Sequence, residues 1–142
     1  MTTTSRLDTT DLAIQKGVRD AEDKLVIAIQ DALNTTDYGK SGNDTLEESQ
    51  FRNLVRVSDS TESVEVIKNF LRYQVGRDKK WGRGDKSLAN KIISDIDGMI
   101  FDKAKKITEG LEDAKRKQVH LELVRRYLGY GARHLKYLRD GK

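Results

Sequence analysis

The residue types with the most chemistry to offer lie in FLRYQVGRDKKWGRGDK, Phe70 to Lys86, where an apolar run gives way to a basic, glycine-punctuated segment. It holds six Lys and Arg (Arg72, Arg77, Lys79, Lys80, Arg83 and Lys86) against two acids, and Trp81, the only Trp of the chain. Cations at this density attract a phosphate backbone by releasing its counterions, and an aromatic ring among them offers a face on which a base can stack. Trp81 has two readings, a stacking or interface contact and a ring folded back onto the body of the protein. A second set of bases (Arg125, Arg126 and Arg133) lies near the C-terminus, interleaved with Tyr127, Tyr130 and Tyr137. Tyrosines in a helical stripe are more often core edge than stacking platforms.

Catalytic chemistry finds little support. With no Cys there is no thiolate nucleophile, disulfide or thiolate metal site. His120 and His134 are fourteen residues apart, about 21 Å along a single helix, so they cannot share a metal ion alone. Glu47 and Glu48 are adjacent, and Asp95 and Asp97 two apart, so neither pair converges on one helix face for acid–base work. Neither GxGxxG nor GxxxxGK[ST] occurs, and no strand precedes Gly82-Arg83-Gly84-Asp85. No enzyme, cofactor, metal or small-molecule substrate is expected.

The elements that must position these residues read as helices. There is no Pro in 142 residues, and apolar residues recur at three- and four-residue steps. An all-α fold is expected, a compact bundle of about five helices forming a single domain over residues 10 to 142, preceded by a disordered tail at 1 to 9. Helix one should start at Thr10 or Asp11 and bury Leu12, Val18, Leu25, Ile29 and Leu33. A capping box over Thr45 to Glu48 should open helix two, which ends near Val57 and places Arg52 and Arg56 one turn apart. Helix three should be capped within Ser58 to Glu62 and stop at Gly76. Helix four should start at Asp85 or Ser87, with Gly98 marking close packing of a neighbour. Gly110 should break or bend the chain before a last helix from about Glu112 to Leu138. Gly82 and Gly84 should leave the basic loop mobile enough to mould onto a ligand.

Net charge is only +4, but it is unevenly spread. Residues 1 to 71 carry −5, residues 72 to 86 carry +4, residues 87 to 114 carry −2 and residues 115 to 142 carry +7. Two basic segments in an otherwise acidic chain suggest a nucleic-acid face. No signal-peptide pattern opens the sequence and no run approaches the roughly 18 apolar residues of a membrane span, so a cytoplasmic protein without a membrane partner is expected.

SQFRN, Ser49 to Asn53, followed by FLRYQVGR, Phe70 to Arg77, resembles the paired signature of the small subunit of type III CRISPR effector complexes, the Csm-type small subunit family. There an S/T-Q-x-R element opens one helix and a Y-x-x-G-R element closes the next, here Ser49, Gln50 and Arg52, then Tyr73, Gly76 and Arg77. The C-terminal RRYLGYGARHLKYL resembles the family's last helix more loosely. The acidic first helix has no counterpart in the pattern, and KKWGRGDK is richer in charge than it requires. The resemblance implies a helical bundle present in several copies beside the CRISPR backbone subunits, without nuclease activity, holding target RNA or its duplex with the guide RNA.

The reading is therefore an RNA-binding, non-catalytic subunit. Arg52, Arg56, Arg72, Arg77, Lys79, Lys80, Trp81 and Arg83 would contact RNA across the junction of helices two and three, and Arg125, Arg126 and Arg133 would add a second basic strip. Phosphate contacts carry no base identity, so binding should be independent of sequence. The alternative is a helical adaptor that stacks head-to-tail on copies of itself without touching nucleic acid.

Overall fold

A computed structural model describes residues 2–141 and the side chains from Thr9 onward. Helix α1 spans Thr2–Thr35, α2 Glu48–Ser60, α3 Val64–Arg77, α4 Leu88–Asp95, α5 Phe101–Ile107 and α6 Asp113–Asp140. A π-helical turn, Ile96–Ile100, joins α4 to α5 without a break, so the all-α fold amounts to five rods. Among the described residues there is no strand, only one backbone bridge between Asp37 and Ser87. No helix is long and apolar enough to cross a membrane.

The spine is α6, which packs on α1, α2, α3, α5 and the π turn. Its buried residues Val119, Leu123, Val124, Tyr127, Leu128 and Leu135 return every three to four positions, the period that keeps one broad stripe facing inward. Gly131 sits where three helices converge. A Cβ built there would lie 2.6 Å from Phe51 Cζ of α2 and 2.7 Å from Ile29 Cγ1 of α1, so hydrogen at this position is what lets the helices approach.

Several boundaries differ from the sequence reading. Helix α1 covers residues 2–9 of the expected tail, Met1 lying outside the described residues. Nothing between Thr2 and Thr10 is a Gly or Pro that would stop a helix. Leu12 is 64% exposed rather than core, because it lies off the inward stripe of α1, which runs through Ile14, Val18, Ala21 and Leu25. Thr45 does not cap α2. Its hydroxyl donates to Gly42 O at 2.8 Å, and Leu46 is fully buried with its N–H bonded to Gly39 O. The chain at 46 is thus held outside the helix, and the capping box moves to Glu47 and Gln50, whose Oε1 accepts from Glu47 N at 2.8 Å.

Ser63 caps α3 and Ser87 caps α4, each accepting from the backbone N–H three residues on. Gly76 is not a C-cap: α3 runs on to Arg77, and the left-handed glycines are Gly42, Gly82, Gly84 and Gly110. Gly98 marks no close packing, since nothing lies within 4 Å of a Cβ built there. It sits in the π turn, where one extra residue is accommodated between α4 and α5.

These two glycines make opposite predictions. Gly131→Ala should destabilise by about 1–3 kcal/mol, because Phe51 is fully buried and has nowhere to yield. Gly98→Ala should be neutral or stabilising by up to about 1 kcal/mol. Urea midpoints of the two variants against the parent would check both signs.

Candidate nucleic-acid interface

The basic loop, residues 78–87, follows α3 and is anchored at its centre. Trp81 is 1% exposed and its ring lies 5.4 Å from that of Phe51 in the core. Of its two readings the structure takes the second, so stacking on a ligand is corrected: the ring gains more by leaving water than by standing in it. The backbone follows the ring inward. Ala89 N donates to Trp81 O at 3.1 Å, Gly39 N to Lys80 O at 3.0 Å and Asp37 N to Lys86 O at 2.9 Å.

The loop therefore lies clasped against residues 36–46. Gly82 stands at φ 78, and a Cβ there would meet Asp37 O at 2.1 Å. Gly84 stands at φ 84 in the turn closed by Ser87 N and Gly84 O. The glycines serve turns and a close approach rather than a loose segment.

Arg72 of α3 is exposed and, with Lys79 and Lys80, has no ion pair among the described residues. Arg77 has only Asp78, at 3.9 Å. Arg52 is 3.6 Å from Glu48, and Arg56 donates to Asn53 Oδ1 at 2.7 Å, both on an exposed side of α2 where such contacts are weak. Arg83 is exposed, its Nε donating to Val75 O at 3.3 Å.

The second strip is not brought together. Arg125 donates through Nε to Ser58 O at 2.7 Å and through Nη2 to Thr61 O at 2.9 Å, so it closes the C-terminal end of α2. Arg126 is clasped by Glu122 of α6 and Glu22 of α1, and its hydrogen bond to Glu122 holds its pKa above the ordinary arginine value. Both depart from the open strip of the sequence reading, since two of the five N–H donors of each guanidinium are committed to partners within the fold. Only Arg133 is exposed and without an ion pair among the described residues.

Two groups join the interface that sequence reasoning did not place there. Tyr73, 60% exposed, stands on the outer face of α3 beside Arg72. Lys40 lies on the 36–46 loop, next to the residue whose N–H bonds to Lys80 O. Tyr73 could have been found from the stripe Ile67, Leu71 and Val75, which turns it outward. The pairing of two loops forty residues apart leaves no local signal.

A cavity of about 640 Å³ lies elsewhere, between the start of α3 and α6. Lys68 is buried in its wall, bonded to Asp97 Oδ1 at 2.7 Å and to Glu65. Burial opposes its charge, but these two hydrogen bonds outweigh it and raise the ammonium's pKa. His120 bonds through Nε2 to Ile96 O at 2.7 Å, in the π turn. Burial pushes its pKa down, the bond to Ile96 O opposing this only in part. The cavity is lined by Glu62, Glu65 and Asp97 together with Lys68, Arg116, Lys117 and His120. Neither a family model, nor a curated protein, nor a solved structure matches this chain.

His120 gives the fold a pH dependence of definite sign. Its folded pKa lies below the ordinary value of 6.5, so the unfolded chain binds more protons as pH falls through that value. The stability it contributes is complete above about 6.5 and is lost on acidification toward the folded pKa. Urea unfolding at pH 7.5 and 5.5 should show a smaller loss in His120→Gln than in the parent. An equal loss would remove His120 as the cause.

Proposed function

We propose that this chain is a non-catalytic RNA-binding small subunit of a type III CRISPR interference complex, holding RNA by phosphate contacts that do not depend on sequence. The carrying observation is that the clasped loops bring Lys40 beside Arg77, Lys79, Lys80, Arg83 and Lys86, six cations against Asp37, Asp44, Asp78 and Asp85, with Arg72 one to two turns back along α3. Helix α2 opens at Glu48, one residue before Ser49, and α3 ends on Arg77, the positions the sequence resemblance assigns to its two motifs. Target and guide RNA, backbone subunits and further copies of the chain are the partners of this reading.

One observation favours the adaptor reading. Helix α1 presents Asp20, Asp23 and Asp31 around Ile27, which is 64% exposed, a surface that a basic face of another copy could cover. Sedimentation of nucleic-acid-free protein at low salt would show association that added salt dissolves. A monomer throughout would count against it.

For RNA binding, Arg77→Ala, Lys79→Ala and Lys80→Ala combined should weaken binding to a generic single strand. Removing three phosphate contacts should make the slope of log affinity against log salt shallower by about 2. Circular dichroism should be unchanged, since all three side chains lie outside the core. Parental affinity and slope in this variant would sink the assignment.

A further inference from the structure

Of the three tyrosines on α6, Tyr127 is fully buried, its hydroxyl donating to Asp95 Oδ2 at 2.7 Å. Tyr130 is half-buried, but Tyr137 is 53% exposed. Two grooves meet at Tyr137. One, of about 410 Å³, lies between α6 and the 36–46 loop and is lined by Asn34, Tyr38 and Lys40. The other, of about 500 Å³, lies between α6 and α1 and is lined by Val26, Tyr130 and Arg133. His134 belongs to both, its ring 5.9 Å from that of Tyr137 and tilted by 32°.

In a chain with 23 Asp and Glu, neither groove is lined by any. Asp140, three residues from Tyr137, is ion-paired with Lys136. Cations stand on both sides: Arg133 in one groove and Lys40 in the other, its Nζ 4.9 Å from the centre of the Tyr38 ring. Tyr137 is also braced. A Cβ built on Gly141 would lie 2.7 Å from Tyr137 Cδ1, so the chain end packs against the ring edge.

We propose that the grooves flanking Tyr137 form a stacking site for an unpaired nucleotide, with Tyr137 and His134 meeting the base and Lys40 and Arg133 the phosphates on either side. The exposed Tyr137 ring beside the half-buried His134, whose Nε2 is hydrogen-bonded to Asn34 Oδ1 at 3.0 Å, is framed by cations without a carboxylate in either groove, which suits a ligand that is planar and anionic at once. Every base has such a face, so the site is tolerant of sequence. The inference rests on the RNA-binding reading and adds to it a contact that is not electrostatic. Lys80 O accepts from Gly39 N, so the basic loop adjoins the first groove and one strand can run from Lys79 and Lys80 past Lys40 to Tyr137.

The test uses the full chain and three probes: inorganic phosphate, adenosine monophosphate and a short oligoadenylate. The nucleotide should move the ring resonances of Tyr137 and His134 in the direction of ring stacking, and phosphate should not. Tyr137→Ala should weaken oligoadenylate binding about tenfold, in the range expected for loss of one stacked base. Tyr137→Phe should keep it, and Tyr137→Leu, which retains apolar contact with the chain end, should behave as Ala does.

Equal shifts with phosphate and nucleotide would reduce the grooves to an anion site and overturn the proposal. So would parental affinity in Tyr137→Ala alongside lost binding in the Arg77, Lys79 and Lys80 variant, an outcome that spares the RNA-binding reading. Parental affinity in both variants would remove that reading as well. Tighter binding of the single-stranded oligomer than of the free nucleotide would place the base within a strand.

Discussion

The burial of Trp81 is the interaction on which the arrangement of the basic end depends. An indole taken out of water removes on the order of 150–250 Å² of mostly apolar surface, roughly 4–6 kcal/mol in favour of the folded state. No other residue between Arg77 and Lys86 is buried, so no other side chain in that stretch draws it inward. Once the ring is against Phe51, the neighbouring backbone must come within hydrogen-bonding distance of residues 37 to 39. Gly82 tolerates that approach, since a Cβ there would meet Asp37 O at 2.1 Å, and Gly39 lets the 36–46 loop close on itself, a Cβ there standing 1.8 Å from Asp44 O. Lys79 and Lys86 have no such anchor for their side chains and stay in water, and Lys80 is half-buried. A segment of charge and glycine thus becomes a fixed platform because one of its members is apolar.

Helix α6 carries the consequence across the molecule. Arg139, near its end, donates to Leu46 O at 3.0 Å and to Gly39 O at 3.1 Å, fastening the loop that clasps the basic segment. Arg125, about four turns earlier, fastens the end of α2 in the same way. Charge at these two positions serves backbone carbonyls that the helix ends and loops leave unpaired. The buried polar groups of the other flank follow the same rule, Lys68 with Asp97 and Glu65, Tyr127 with Asp95. Lys68 is the buried member of its group and keeps one acid if the other is lost, and Asp95 likewise has Lys91 at 2.9 Å besides Tyr127.

The all-α class was legible because 142 residues without Pro repeat their apolar positions at helical spacing, and that period survives most local conflicts. Boundaries were less so, since Thr45 and Ser58 carry capping chemistry that burial of Leu46 and the continuation of α2 override. The candidate site divides along the same line. Arg72, Arg77 and Lys79 are exposed cations, as their surroundings in the sequence imply, and Lys80 is half-buried beside Trp81. Trp81, Arg125 and Arg126 were misread because residue type records what a side chain can do, whereas its partners lie up to 104 positions away. Lys40 is the converse case, an unremarkable loop residue made relevant by tertiary pairing.

Distribution, rather than the net +4, governs how this surface meets a polyanion. Exposed acids run along α1 at Asp11, Asp20, Asp23 and Asp31, while the basic loop after α3 presents Lys79, Lys80, Arg83 and Lys86 against Asp78 and Asp85. Under the proposed reading a charged strand is drawn to these cations only at short range, within about a Debye length, some 8 Å at physiological salt. Phosphate contacts made there weaken together as salt rises, because each depends on released counterions. A base stacked on Tyr137 would not weaken in the same proportion. Under the proposed reading the two parts therefore divide the work, with charge setting the approach and orientation of the strand and the aromatic grooves slowing its departure where screening is strong.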